Sequence, residues 1–552
     1  MAVLLAALGM AQAQQPQRPP DAGIIQREMQ QPQPAPAKPA PPVPRIETPE
    51  RPALTAPATV RFQVKAIRVT GSTVYSSAQL EALVSGYTGR EAGLADLQEA
   101  AARITRHYRE NGYPVARAYL PAQDVREGVV EIAVIEGRYG KVELNNRSRV
   151  NDGVVQRFLT PLQPGAAIEG KALERGLLLL SDLPGIALPD AALRPGAKTG
   201  ESDLALTLEP APLASGNIGL DNYGNRYTGT YRVSGGFSLA SPTGYGDLFT
   251  AQASTAGEGL NSQRVAYQLP VGGGGLRVGA AYSNSDYELG KQFSPLDATG
   301  HAKVATLGAT YPFVRSLGLN LTGSLSFDAK RLEDRVGAAG SVTPKRNDGV
   351  TAGLAGNWQD SGGKASNSFS LTAVAGRLHI DSAAAQLLDD AGPRTGGSFN
   401  KVGYSISRLQ QLGGPLSGFV SLTGQQAGKN LDSSEKFLLG GPHGVRSYPQ
   451  GEAAGDDAFI VTAELRYRVA QAPIDGVELV ALFDYGESRI NHHAFAPVGN
   501  LRKLSGVGVG LNIASASGWL LRSAWSWRTG SEPATSDTPR SRRGWLQVVK
   551  FF

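Results

Sequence analysis

Beyond Pro212 the chain loses helical periodicity and alternates with a period of two toward its end at Phe552. Tyr227, Gly229, Tyr231, Val233, Gly235, Phe237 and Leu239 fall on one side of the first such stretch. Thr228, Thr230, Arg232, Ser234 and Ser238 fall on the other. Leu317, Leu319, Leu321, Leu325 and Phe327 likewise oppose Asn320, Thr322, Ser324, Ser326 and Asp328. Successive strand side chains point to opposite faces, so each stretch has one apolar and one wet side. The wet side is small and hydroxylated over segments of about 10 residues, longer than the usual strand of a soluble sandwich or propeller. That length and alternation match a membrane-spanning barrel strand, apolar toward lipid and polar toward a lumen. The 68 glycines and an aromatic content of only 7 % also suit many strands and turns better than a helical core.

The amino terminus narrows the choice. Residues 2–10 are a short apolar run, and Ala11-Gln12-Ala13 is a small-x-small cleavage site, so 1–13 is expected to be an export signal without the usual basic start. No later stretch reaches the ~20 apolar residues of a membrane helix; the run Leu177-Leu178-Leu179-Leu180 stops at Ser181-Asp182. An exported chain of this kind enters a membrane only as a closed barrel. Residues 212–552, at roughly 20 residues for each strand with its connection, predict about 16 antiparallel strands, even-numbered as in bacterial barrels. The chain ends on a strand with an aromatic carboxy-terminal residue, Phe552; Lys550 interrupts its apolar face and is expected to snorkel to the interface.

Ahead of the barrel the text divides into four parts. Residues 14–31 hold a short helix with Asp21 as N-cap and Ile24, Ile25 and Met29 on one face. It is either a tethered element that docks at a distance or a plain exported tail. Residues 32–59 form a spacer dominated by Pro, Ala and Gln. Residues 60–137 read β-α-α-β-β, with a capping box at Ser76 and Gln79, a second helix carrying Leu94, Leu97, Ala101, Ile104 and Tyr108, and a stop at Asn111-Gly112. Residues 138–211 repeat the pattern more loosely, giving a second α+β unit.

Much chemistry is excluded. The chain has no cysteine, and its six histidines show no ligand spacing, only the neighbours His492 and His493. The formal charge of +6 is spread out rather than gathered into a nucleic-acid stripe. The glycine turn 272–275 lacks the Lys-Ser/Thr of a phosphate loop. The expectation is a passive conduit: no enzyme, no metal, no cofactor, no nucleic-acid partner.

Particular motifs then resemble one family. Gly112, Tyr113, Arg117, Tyr119, Leu120, Pro121 and Gln123, with Glu136-Gly137 closing the next strand, look like the end of a first POTRA domain. Val445-Arg446-Ser447-Tyr448 resembles a Val-Arg-Gly-Tyr/Phe loop motif, and Leu482, Asp484 and Gly486 resemble a Phe-x-Asp-x-Gly strand motif. Together they resemble the TpsB transporters of two-partner secretion, the haemolysin secretion/activation proteins of the outer-membrane insertase superfamily. Ser447 stands where Gly is usual and Leu482 where Phe is usual.

The resemblance implies an outer-membrane barrel with two periplasmic POTRA domains and a plug formed by residues 14–31. It implies a TpsA-type exoprotein as unfolded substrate, outer-membrane lipids around the barrel, and the barrel assembly machinery as a partner in biogenesis, with Phe552 as assembly signal. It also implies a loop folded into the lumen, with Arg446 facing Asp484. On residues alone, Arg446 and Asp484 could instead be an unrelated surface arginine and lumen carboxylate. Substrate contacts are expected in the second unit, around residues 142–144 and 153–159. The main alternative is an insertase that assembles other barrels; a diffusion porin or a secreted β-sandwich fits the two α+β units or the absent catalytic groups less well.

Overall fold

The computed structural model describes residues 19–30, 45–46, 61–125, 127–257, 259–360, 362–470, 475–495 and 499–552. The expected export signal and most of the spacer lie outside them. Sixteen antiparallel strands, from Ala214–Asp221 to Arg542–Phe551, close into one barrel by pairing the first with the last. Closure removes both sheet edges, which lipid cannot solvate. The outer face is apolar: Leu307, Leu325, Val420 and Val509 all lie more than half exposed. Exposed rows of this kind are stable only against hydrocarbon.

Two expectations about the strands need correction. The alternation at 227–239 suggests one strand, but the ladder starts at Arg232, after a separate strand at Ala214–Asp221. Between them the chain turns, with Gly229 at φ +112; Tyr227 packs with the lumen helix and Thr228 is buried, both outside the barrel's strand ladders. Strands of about 10 residues describe the first three and last two strands of the barrel but not its middle ones. Ala298–Arg315, Leu319–Val336 and Ser341–Gln359 run 18, 18 and 19 residues. They extend past the lipid zone at the end away from the α+β units, where their outward side chains become Lys303, Arg331 and Arg346.

The first unit has a sheet ordered Ala66–Thr70, Val129–Ile135, Arg117–Tyr119, covered by the helices Ser77–Leu83 and Leu94–Glu110. Ser76 and Gln79 form the expected capping box. Leu80, Ile104, Tyr108 and Ile132 fill the core. The small ladder of Arg61–Val64 with Arg90–Gly93 was not foreseen.

The second unit pairs Arg138–Asn146, Glu201–Leu208 and Asp190–Pro195 under the helices Asp152–Leu159 and Gly170–Ser181. Asp190–Pro195 escaped the sequence pattern because Pro184, Pro189 and Pro195 surround it. Its outer edge is taken, in parallel register, by Arg45 and Ile46 of the spacer. The second unit is fixed to the barrel: Asp182 accepts both guanidinium nitrogens of Arg315 at 2.7 and 3.0 Å, and Arg175 donates to the Pro312 carbonyl at 2.7 Å.

Candidate functional site

Two elements fill the lumen. One is the amino-terminal helix, Ala22–Met29; the other is the long connection 428–456 between two barrel strands. Neither joins the wall as a strand. Asp21 caps the helix by accepting from the Ile24 amide at 3.0 Å. Ala22 and Ile25 pack against Tyr227, Leu260, Tyr287 and Leu332 of the wall. The Ala22 amide donates to Asp334 at 2.7 Å, and Arg27 Nε donates to the Lys436 carbonyl at 3.2 Å. The helix therefore rests on the wall and on the folded-in loop together.

The base of that loop carries buried charge. Glu435 pairs with Lys330 and, at 2.8 Å, with Lys401, both from the wall. Asp432 pairs with Lys345 at 3.0 Å, and Lys436 with Asp456 at 2.6 Å. Sequence reasoning missed this cluster. Wall lysines spaced along separate strands carry no local signal, and only the barrel register gathers them.

The tip is the sequence-predicted site, and the structure brings its two halves together. Val445 is fully buried and turns the chain so that Arg446 faces the wall. Arg446 Nε and Nη2 donate to the two oxygens of Asp484 at 2.8 Å each, and its amide donates to the same carboxylate at 3.1 Å. This planar fork is the strongest geometry available to a guanidinium and a carboxylate. The remaining Nη1 donates to Glu464 at 2.6 Å, itself held by Arg466. Trp545 Nε1 on the last strand donates to the Arg446 carbonyl at 2.7 Å, and Tyr448 donates to the Glu532 carbonyl at 2.9 Å. Glu464 and Trp545 were not singled out from the sequence; each is one inward position, Glu464 on the strand that follows the loop and Trp545 on the last strand.

Asp484 faces inward and is fully buried, while Leu479 and Phe483 on the same strand face outward. Gly486 leaves room for the loop: a Cβ there would come within 2.7 Å of Leu439. The two departures from the motifs have local compensation. Ser447 lies against Gly506, which has no side chain to clash, and donates to the Ser505 carbonyl at 3.2 Å. Leu482 packs over Gly508.

In the first α+β unit the motif residues hold the fold. Glu136 accepts from the Thr73 and Val74 amides at 2.6 and 2.7 Å, from the Thr73 hydroxyl, and from Tyr108 at 2.9 Å. Tyr113 packs edge-on against Tyr75 and Tyr108. Gln123 bonds both ways to the Glu131 main chain at 2.7 Å. Gly112 and Gly137 take φ of +95 and +80, which suits glycine. Leu120 is buried, Pro121 follows it at the strand's end, and Arg117 and Tyr119 lie on the sheet's free edge. That edge and the helix Leu94–Glu110 line a cleft of about 1200 Å³ reaching the 195–202 hairpin of the second unit.

Burial alone would push the Glu136 carboxyl up, but the bonds from Thr73, Val74 and Tyr108 outweigh it and hold it below the usual carboxylate range. Its contribution is therefore complete above the ordinary carboxylate range and is lost as pH falls through the depressed value. Glu136→Ala is expected to destabilise this unit by about 2–3 kcal/mol, since it removes charge-assisted bonds and strands buried donors. Hydrogen exchange in the helix Leu94–Glu110 should speed up; unchanged protection would count against this account.

With this geometry in place, comparison with known proteins decides the class. The family model for the haemolysin secretion/activation proteins ShlB/FhaC/HecB matches residues 200–513. The chain belongs to this family. A POTRA domain model of the ShlB type matches residues 62–137. The heme/hemopexin transporter protein HuxB of Haemophilus influenzae is 28 % identical to the transporter over 484 residues, covering 86 % of this chain and 84 % of HuxB. The outer membrane transporter CdiB of Dickeya dadantii is 25 % identical, covering 88 % and 84 %. Among solved structures, CdiB from Escherichia coli superposes with a TM-score of 0.73 at 20 % identity, covering 92 % of this chain and 93 % of that one. BamA from Haemophilus ducreyi gives 0.52 at 13 %, covering 89 % and 100 %, a likeness of fold. The transporter is thus an outer-membrane component of two-partner secretion, with its POTRA region in the periplasm.

Proposed function

We propose that the transporter captures an unfolded TpsA-type exoprotein on its periplasmic units and threads it through the lumen once the helix has left, past the folded-in loop, whose tip must stay pinned to the wall. The observation that carries this reading is that the helix Ala22–Met29 is held in the lumen by packing and by bonds that each involve a side chain, while the barrel closes through its own strand ladders without it. The helix can leave without opening the barrel. The helix hangs on a proline-rich spacer that permits withdrawal. The Arg446–Asp484 pair is the lock that keeps the loop tip in this working position.

For capture we favour the cleft between the first unit and the 195–202 hairpin, together with the second-unit edge at 142–144 expected from the sequence. The strand Arg117–Tyr119 has a strand on one side only, the Thr105 hydroxyl meeting its Ala118 amide and carbonyl at 2.9 and 3.4 Å on the other, and a strand added there in exchange for that hydroxyl would gain affinity through main-chain bonds. In the second unit Val154, Val155, Phe158 and Leu159 are committed to its core and the outer edge of Asp190–Pro195 already holds Arg45 and Ile46, whereas Arg138–Asn146, which carries 142–144, has no strand on its outer side among the described residues. Lipid surrounds the exposed apolar wall, and the barrel assembly machinery recognises the last strand ending at Phe552.

The test is deletion of the gene. A large exoprotein should vanish from the medium and be held back in the periplasm, with other outer-membrane barrels at normal levels. Unchanged export together with loss of other barrels would favour an insertase. The barrel itself should run faster unheated than boiled in detergent gels.

A further inference from the structure

At the cell-surface end of the seam between the first and last strands lies a cleft of about 800 Å³ that the secretion route does not use. The first strand pairs with the last from Asn217 to Asp221, with backbone bonds reaching Gly216 at one end and the Asn222 amide at the other. Above that, the side chain of Asn222 continues the ladder, bonding Leu546 and Gly544. Beyond Asn222 the last strand runs on to Arg542 without that neighbour, and the cleft opens there.

Its charge is one-sided. Arg226, Arg540, Arg542 and Arg543 line it, against Asp537 as the one acid among its lining residues. Asp537 binds Arg226 at 3.3 Å and Arg543 at 2.8 Å. The Nε atoms of both those arginines are nevertheless buried without a hydrogen-bond partner among the described residues. Arg540 and Arg542 are exposed and make no ion pair among those residues. Buried donors without acceptors are costly and mark a place that wants an anion.

Its position is equally specific. The outer rim includes Trp525 and Tyr231, both exposed, and Arg542 stands opposite Trp527 in the ladder. Outward tryptophans of this kind mark the membrane interface. The guanidinium groups therefore sit where headgroups lie, continuous with the lipid-facing wall. On the lumen side the cleft is closed by Trp545 and by Pro449 and Gln450 of the folded-in loop.

We propose that this cleft binds the phosphorylated headgroup of an outer-leaflet glycolipid. Phosphate matches several arginine forks at once, and each can bind it bidentately. A lipid occupant fits better than a segment of the exported chain, because the cleft opens on the outer wall and not into the conduit. Occupancy would brace the shortest pairing in the barrel.

The test uses the purified full-length protein in detergent. Native mass spectrometry compares diphosphorylated lipid A, the same glycolipid stripped of phosphate, inorganic phosphate and an acidic peptide. Saturable binding of the diphosphorylated form is expected, at least tenfold tighter than of the stripped form. The Arg540→Gln/Arg542→Gln variant, which removes no ion pair, should weaken it at least tenfold while still migrating as a heat-modifiable barrel. Equal binding of both glycolipids, tighter binding of free phosphate or peptide, or an unaffected variant would overturn the proposal. Secretion is scored separately, so failure here leaves the transport reading standing.

Discussion

Replacing Arg446 by alanine is expected to lower secretion by about tenfold or more while the amount of folded barrel in the membrane stays near normal. The argument starts from burial. Asp484 is fully buried and Arg446 largely so. Removing the guanidinium takes two side-chain bonds from Asp484 and one from Glu464. Breaking a buried pair from one side costs about 3–5 kcal/mol because the remaining charge is stranded. Every 1.4 kcal/mol is about tenfold in a population, so the folded-in position of the loop would no longer dominate. The barrel itself is held by strand ladders that do not involve Arg446, which is why its level should persist.

Arg446→Lys should recover only part of the loss, because an ammonium cannot reproduce the two-pronged bond. Asp484→Ala should do less damage than Arg446→Ala, since Glu464 still holds the arginine at 2.6 Å. The readouts are exoprotein in the medium and heat-modifiable barrel in the membrane. Normal secretion by Arg446→Ala would remove the lock from the mechanism.

The sequence was informative wherever a pattern is local. Strand alternation, turn glycines and length together gave a closed barrel and its sixteen strands. The capping box at Ser76 and Gln79 and the cap at Asp21 were visible because their partners sit three residues away. Arg446 and Asp484 stood out through short motifs. What stayed hidden depends on register. Lys330, Lys345 and Lys401 come from three strands and converge only when the barrel closes. Trp545 looked like part of an ordinary terminal strand, yet it holds the loop tip across 99 positions of sequence. Alternation also misled once. At 227–231 it comes from packing of Tyr227 with the lumen helix and burial of Thr228, and period-two spacing cannot tell that from a ladder.

Gly23→Val is expected to unseat the amino-terminal helix and raise the ion conductance of the purified protein several-fold in planar bilayers. Gly23 lies on the side of the helix that meets the loop base. A Cβ built there would overlap Ser433 Oγ and the Ser434 amide nitrogen, and would lie 3.0 Å from the Ser433 carbonyl carbon. Part of this obstacle is backbone, so it cannot rotate away. Nor can the loop base yield easily, because Glu435 is tied to Lys330 and Lys401 and Asp432 to Lys345. The helix, with eight residues and few polar bonds, is the weaker partner and is the one that should move. Overpacking of this kind costs about 1–3 kcal/mol, enough to shift the docked population by a factor of about 5 to 150. Gly318→Ala, at a turn where nothing lies within 4 Å, is the control and should leave conductance unchanged. Secretion by the Gly23→Val variant should persist, because the helix leaves the lumen in transport anyway. A variant with resting conductance equal to that of the unaltered protein would mean that the helix does not close the pore.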